Sequence, residues 1–275
     1  MRQGSAIRAL FAAALASLAI APMAPPPAQE SPYQSVFVVT GTGETNRMTG
    51  FAETLRQVLV KLSGDQRLAS DPRVTELMKD AKAYVAGYTY LDLKSGIHLS
   101  DEQGSYDRPH YLTVDFDHEK LNAVLAYLGR KPWLARPRLT VFLGVSRYAI
   151  GYVVASDADR DAAMRDSFAN ASRRYGVKIN FPDQASVVAS LPTFDALHKA
   201  DAANLNAIAK GTGGDQALVG TLVWSDPDHG WIADWRIAVN SEAHHWQLKG
   251  ISFDDAFRSA LAGAAQVLSG NGQPD

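Results

Sequence analysis

Several short stretches of this 275-residue chain hold residue types that could do chemistry. GTGETN, residues 41–46, leaves a strand-like apolar run and enters a helical pattern. That is the polarity of a phosphate-cradling loop, in which free N–H groups and the helix dipole meet the anion. It lacks a third glycine and a Lys-Ser/Thr pair, and Thr45 or Asn46 as a helix cap accounts for it. KGTGGD, residues 210–215, has the reverse polarity: it leaves a helix and enters the strand DQALVGTLVW, so its glycines read as exit caps. SDADRD, residues 156–161, places Asp157, Asp159 and Asp161 at alternate positions, as a calcium loop does. Its sixth position is Ala162 where glycine is required and its twelfth is Phe168 where a bidentate glutamate is required. Acids matching the dipole of a helix first turn account for it better.

Histidine and tryptophan offer further candidates. His244 and His245 are adjacent, and strand neighbours point to opposite faces, so they cannot share one metal ion without outside ligands. DFDH brings Asp115, Asp117 and His118 to a strand end, where a helix cap explains them. DPDHG, residues 226–230, reads as a hairpin turn. For covalent catalysis the chain has neither a G-x-S-x-G elbow nor any cysteine. Trp224, Trp231, Trp235 and Trp246 concentrate around one hairpin. Alternation puts Trp231, Trp235 and Ile237 on one face, either as core beneath the last helix or as a carbohydrate or partner platform. No catalytic, cofactor-binding or metal-ligating residue is assigned.

The elements that would position these groups follow from periodicity. YQSVFVVTG reads as a strand, and NRMTGFAETLRQVLVKLSG as an amphipathic helix. Met48, Phe51, Leu55, Val58, Leu59 and Leu62 form its inner stripe, and Gly64 its left-handed cap. Asp71 caps a second helix with Pro72 at its first position; Val74, Leu77, Met78 and Ala81 face inward, and Tyr84 and Tyr88 continue the stripe. A polar loop from Lys94 to Pro109, the strand HYLTVDF and a helix from Asp117 to Gly129 follow. GRKPWLARPR reads as a stiff junction with Trp133 and Leu134 tucked against one side. Beyond it come the strand RLTVFLGV, a helix capped by Asp157 (inner face Met164, Phe168, Ala171 and Tyr175, stop Gly176), and the short strand VKINFP. The helix DAANLNAIAKGTGG, three strands through HHWQLKG, and a last helix with Ser252 and Asp255 as a capping box complete the chain.

The expected fold class is therefore α+β or α/β: two small mixed-sheet domains with packed helices after a signal peptide. Their bounds are an α/β domain over 31–129, a linker over 130–138 and a βαβαβββα domain over 139–270. Residues 1–28 have the layout of a secretory signal: Arg2 and Arg8, an apolar run from Ala9 to Ala21 too short to span a bilayer comfortably, then small residues and prolines. An uncleaved anchor is the alternative, because Pro22 and Pro25 crowd the Ala cleavage positions. Without cysteine there is neither a lipid-anchored amino terminus nor a disulfide. The remaining ~245 residues are enough to bury a core. Loss of the two arginines takes the net charge from −2 to −4, which argues against nucleic acid as a partner.

LRQVLVKLSGDQRLASDPRV, AYVAGYTYLD, LTVDFDHEKLNAVL, GRKPWL and DQALVGTLVW, in that order, resemble an exported proteobacterial family described only as a domain of unknown function. The resemblance implies no activity, cofactor or catalytic residue. In strand and helix order alone, the second half is similar to the amino-terminal domain of the TolB translocation protein, which implies protein–protein work in the periplasm. The expected function is a soluble periplasmic module, non-catalytic, that binds or scaffolds an envelope component, with an envelope protein as partner. The alternatives are an envelope hydrolase whose site assembles only in three dimensions, and a ligand or glycan binder built on the tryptophans.

Overall fold

The computed structural model describes residues 31–94, 108–148, 150–191, 193–240 and 242–274. The signal-peptide reading and most of the polar loop from Lys94 to Pro109 lie outside these residues.

The first sheet is built from β1 (Gln34–Thr40), then helices α1 (Glu44–Ser63) and α2 (Pro72–Met78), then β2 (Val85–Asp92) and β3 (Pro109–Phe116), closed by α3 (His118–Tyr127). Its order is β1-β3-β2, antiparallel throughout. The apolar stripe of α1 lies on it: Phe51, Leu55, Leu59 and Leu62 pack with Leu112, Val114 and Phe116 of β3 and with Leu121 and Leu125 of α3. Gly64 takes φ 72° and ends α1, and the carboxylates of Asp71 and Asp117 accept the N–H of Arg73 and Lys120 as caps. Two expectations change here. The N-cap of α1 is Gly43, with no side-chain cap, rather than Thr45 or Asn46. The residues after α2 do not prolong its stripe: Tyr84 ends a 3-10 turn and Tyr88 belongs to β2, a strand with alternating half-buried positions.

The second sheet is larger. Its elements are β4 (Leu139–Arg147), β5 (Ile150–Val153), α4 (Ala162–Tyr175), β6 (Ile179–Asn180), α5 (Gln184–Ser190), α6 (Phe194–Lys199), α7 (Ala202–Gly211), β7 (Gln216–Ser225), β8 (Gly230–Val239), β9 (Glu242–Ile251) and α8 (Phe253–Leu268). The order is β5-β4-β7-β8-β9, with β6 beside the first residues of β4. Strands β4, β6 and β7 are parallel; β5 and β8 run against them, and β9, antiparallel to β8, runs with them. Leu218 and Leu222 of β7 join the core shared with Phe168 of α4 and Phe257 of α8. Ala217 and Val219 join the opposite core, with Leu197 of α6 and Leu205 and Ala209 of α7. DQALVGTLVW is thus a central strand covered on both faces. Large side chains enter where a neighbour has none: a Cβ on Gly220 would stand 1.9 Å from the Trp235 ring, and one on Gly263 2.5 Å from Trp246.

The strand β5 and the helices α5 and α6 are additions to the expected order, and the cap of α4 also differs. A 3-10 turn over Asp159–Asp161 precedes α4, whose N-cap is Asp161 without a side-chain bond. Asp157 instead accepts the N–H of Gln184 at 2.8 Å.

The sheets meet where the family-like motifs converge. The Arg136 guanidinium stacks on Trp133 at 4.4 Å and donates to the carbonyls of Tyr175 (2.7 Å) and Gly176 (3.2 Å) and to that of Lys61. One cation thereby covers the carbonyl ends of α1 and α4, the helix ends a cation suits. Buried Asp65 accepts both Arg67 Nε (2.8 Å) and Arg130 Nε (2.7 Å), while Arg67 also donates to the Asn271 carbonyl at 2.7 Å. Trp133 packs on the second sheet's core, as expected of the junction, but Leu134 is 57% exposed.

Candidate functional site

At the carboxyl ends of the parallel strands β4 and β7 the chain turns back in hairpins, into β5 and β8. Here the last register row carries aromatic and cationic side chains. Arg147 pairs with Ile150, Trp224 with Trp231, and Trp231 with Ile251, in continuation of the Ser146–Val223 pair.

The geometry is built rather than incidental. Arg147 Cζ lies 4.9 Å from the Trp224 ring centre and 5.3 Å from that of Tyr148. Trp231 meets Trp224 edge-on at 5.4 Å and 80°, and Trp224 Nε1 donates to Asp226 at 2.7 Å. Tyr148 occupies a left-handed backbone position, φ 56°, in the β4–β5 hairpin, with its side chain 73% exposed. Glycine or asparagine suits such a position, and a tyrosine there costs on the order of 1–3 kcal/mol. Ile150 is equally exposed.

Behind this row sit Tyr152, Arg160 and Asp161. Arg160 lies over Tyr152 at 4.2 Å. Burial, reinforced by the Asp161 charge, raises the Tyr152 hydroxyl above its ordinary range. Buried Asp161 accepts the Ala155 N–H at 3.1 Å.

The sequence candidates go to separate places. The acids of SDADRD do not converge: Asp157 holds Gln184, Asp159 opens the 3-10 turn and Asp161 points at Ala155. In GTGETN, Gly41 takes φ 73° and Asn46 donates back to the Thr40 carbonyl, which closes the turn with local bonds. Asp115 accepts Gln34 at 2.8 Å, Asp117 caps α3, and His118 stacks on Tyr33 at 3.8 Å. His244 reaches Gln273 at 3.0 Å and His245 reaches Asp234 at 2.5 Å. Gly213 takes φ 89°, and a Cβ on Gly214 would stand 2.8 Å from the Thr140 amide, so KGTGGD is exit and close packing. Among the described residues no three His, Asp or Glu side chains stand together as metal ligands, and no helix is long and apolar enough to cross a membrane.

The tryptophans divide. Trp235 and Trp246 are buried, as the core reading expects. Trp231, expected on one face with Trp235 and Ile237 beneath the last helix, packs half-buried against that same core and meets the half-buried Trp224 edge-on at the end of the sheet. Arg147 and Tyr148 were not singled out by sequence reasoning; the available signal was a bulky aromatic in a two-residue hairpin between strand-like runs.

Comparison with known proteins adds one match. Residues 28–134 match the model of a family described as a domain of unknown function, DUF8605. No curated protein matches the chain. The matched stretch contains the first sheet, Lys61, Asp65, Arg130 and Trp133, whereas the Arg147–Trp224 row lies beyond it.

Proposed function

We propose that the protein is an exported, non-catalytic binding module that holds a protein of the cell envelope. In this reading it consists of two domains, residues 31–129 and 139–270, joined by the stiff segment 130–138 and fixed to each other through Arg136 and Asp65. The observation that carries the proposal is the exposed end of the second sheet, where Arg147 is held between Tyr148 and Trp224. Tryptophan, tyrosine and arginine are the residues that most often anchor protein interfaces. The left-handed Tyr148 fits a side chain kept for contact rather than for its turn. Arg147 makes no ion pair or hydrogen bond among the described residues, which leaves its donors available to a carboxylate of the partner.

A glycan platform would use the same Trp224 and Trp231, but Arg147 already covers one face of Trp224. A hydrolase reading needs ionisable groups converging in a cavity. In the cavity of about 330 Å³ between α4 and α8, the only carboxylate, Asp254, accepts from Ser167 beside Arg174 and Arg258, with no histidine in the lining.

Periplasmic extract passed over the immobilised chain tests the proposal, with Arg147→Ala, Trp224→Ala and the exposed control Glu119→Ala run alongside. A protein kept by the wild type and Glu119→Ala, and lost by the other two, is expected. Equal retention by all four, or recovery of the native chain from the cytoplasm alone, contradicts it.

A further inference from the structure

We infer that the cleft between α1 and α4 is a receptor for a phosphate-bearing ligand, separate from the exposed row of the second sheet. The cleft encloses about 400 Å³, within the range of small-molecule sites. Four basic side chains line it, Lys61 of α1, Arg136 of the junction, Arg173 of α4 and Lys178 just beyond, and no carboxylate is among the lining residues. With Lys61 only partly charged at neutral pH and Arg136 bound to carbonyls, Arg173 and Lys178 supply the two full charges. In a chain of net charge −2 this is a local concentration against the overall balance. One carboxylate would match only one of the Arg173 and Lys178 charges, whereas a phosphate dianion answers both.

The opposing effect is the helix ends. The carbonyl termini of α1 and α4 face this region and disfavour an anion. Arg136 removes most of that objection, because its guanidinium already binds the Tyr175, Gly176 and Lys61 carbonyls. The field inside is then set by Lys178 and Arg173, with a fractional charge from Lys61. Burial, with a further contribution from Arg136, holds the Lys61 amine well below its ordinary range, and an anion in the cleft would relieve that strain. Pro32, Leu134 and Val177 give the same cleft an apolar side, suited to the organic part of a phosphate ester. A soluble phosphorylated compound and a lipid head group share this chemistry.

Calorimetric titration of the full-length chain with pyrophosphate, and sedimentation with vesicles containing phosphatidic acid, distinguish the two sources. Either should show binding that weakens about tenfold in Lys178→Ala and in Arg173→Ala, roughly one charge-assisted contact each. It should be unchanged in Arg147→Ala, a cation of the exposed row. Lys178 is exposed, so its replacement leaves the fold intact. No binding of either probe overturns the inference, as does binding that falls equally in all three variants. Because Arg147→Ala is also the variant that should lose the envelope partner, the two proposals fail independently.

Discussion

Lys61 offers the sharpest test of how the two sheets are joined. Its amine is buried, donates to the Gln34 carbonyl, and has its pKa lowered from 10.5 to about 7 by burial first and by Arg136 second. Below pH 7 both the folded and the unfolded chain carry the proton, and the folded chain bears the full cost of a buried charge. Between pH 7 and 10.5 only the unfolded chain is protonated there, so stability rises with pH. The gap, at ~1.4 kcal/mol per pH unit, comes to about 5 kcal/mol. Lys61→Met keeps the stem and removes the amine, at the loss of a hydrogen bond worth about 1 kcal/mol. Urea unfolding of both proteins in phosphate-free buffer, from pH 6 to pH 10, isolates this group because every other titration cancels in the difference. The variant should be the more stable by about 4 kcal/mol at pH 6, and the advantage should vanish by pH 10. A difference independent of pH would refute the reasoning, since Lys61 would then titrate as an ordinary surface lysine.

Three further outcomes follow from the cores and the joint. Leu55→Ala, at a fully buried position mid-stripe on α1, should cost ~2–5 kcal/mol in chemical unfolding; a loss under ~0.5 kcal/mol would contradict the assigned face. Gly220→Ala pushes a methyl group into Trp235 and should destabilise by ~1–3 kcal/mol or more, with altered near-ultraviolet dichroism of the tryptophans. Burial alone would raise the Asp65 carboxyl, but bonds from Arg67 and Arg130 outweigh it and hold the pKa below its usual value. Because Arg67 and Arg130 keep access to solvent, Asp65→Ala should lower stability by ~1–3 kcal/mol at neutral pH, the scale of hydrogen bonds to a charged group. That penalty should shrink under acid, because a carboxylate with a depressed pKa loses its contribution as pH falls through that pKa.

Much of the architecture was legible because local signals and tertiary fate agree. The α1 stripe, Gly64, the caps at Asp71, Asp117 and Ser252, and the apolar run of β7 all went where periodicity and capping chemistry sent them. The failures have physical causes. Tyr84 ends a 3-10 turn and Tyr88 carries its ring over the half-exposed strand β2, yet their spacing of four imitates a continuing helix stripe. The short α6 is held by contact rather than propensity: Phe194 fills the space left by Gly144 and Gly151. The joint joins groups distant in sequence: Arg136 and Lys61 are 75 residues apart, Arg67 and Asn271 204. Nothing local announces such pairs. The exposed row was half legible, since the tryptophans drew notice while Arg147 and Tyr148 gained meaning only once β4, β5 and β7 lay side by side.

The central claim is that the chain works through the exposed end of its second sheet, while the glycines and acids that imitate active sites start and stop its elements. Photo-crosslinking in living cells, with benzoylphenylalanine replacing Tyr148 or, as control, Glu119, addresses it directly. A discrete adduct from position 148 that disappears on Trp224→Ala, with none from position 119, is the predicted result. Adducts of equal intensity from both positions, or an adduct at 148 indifferent to Trp224, would contradict it.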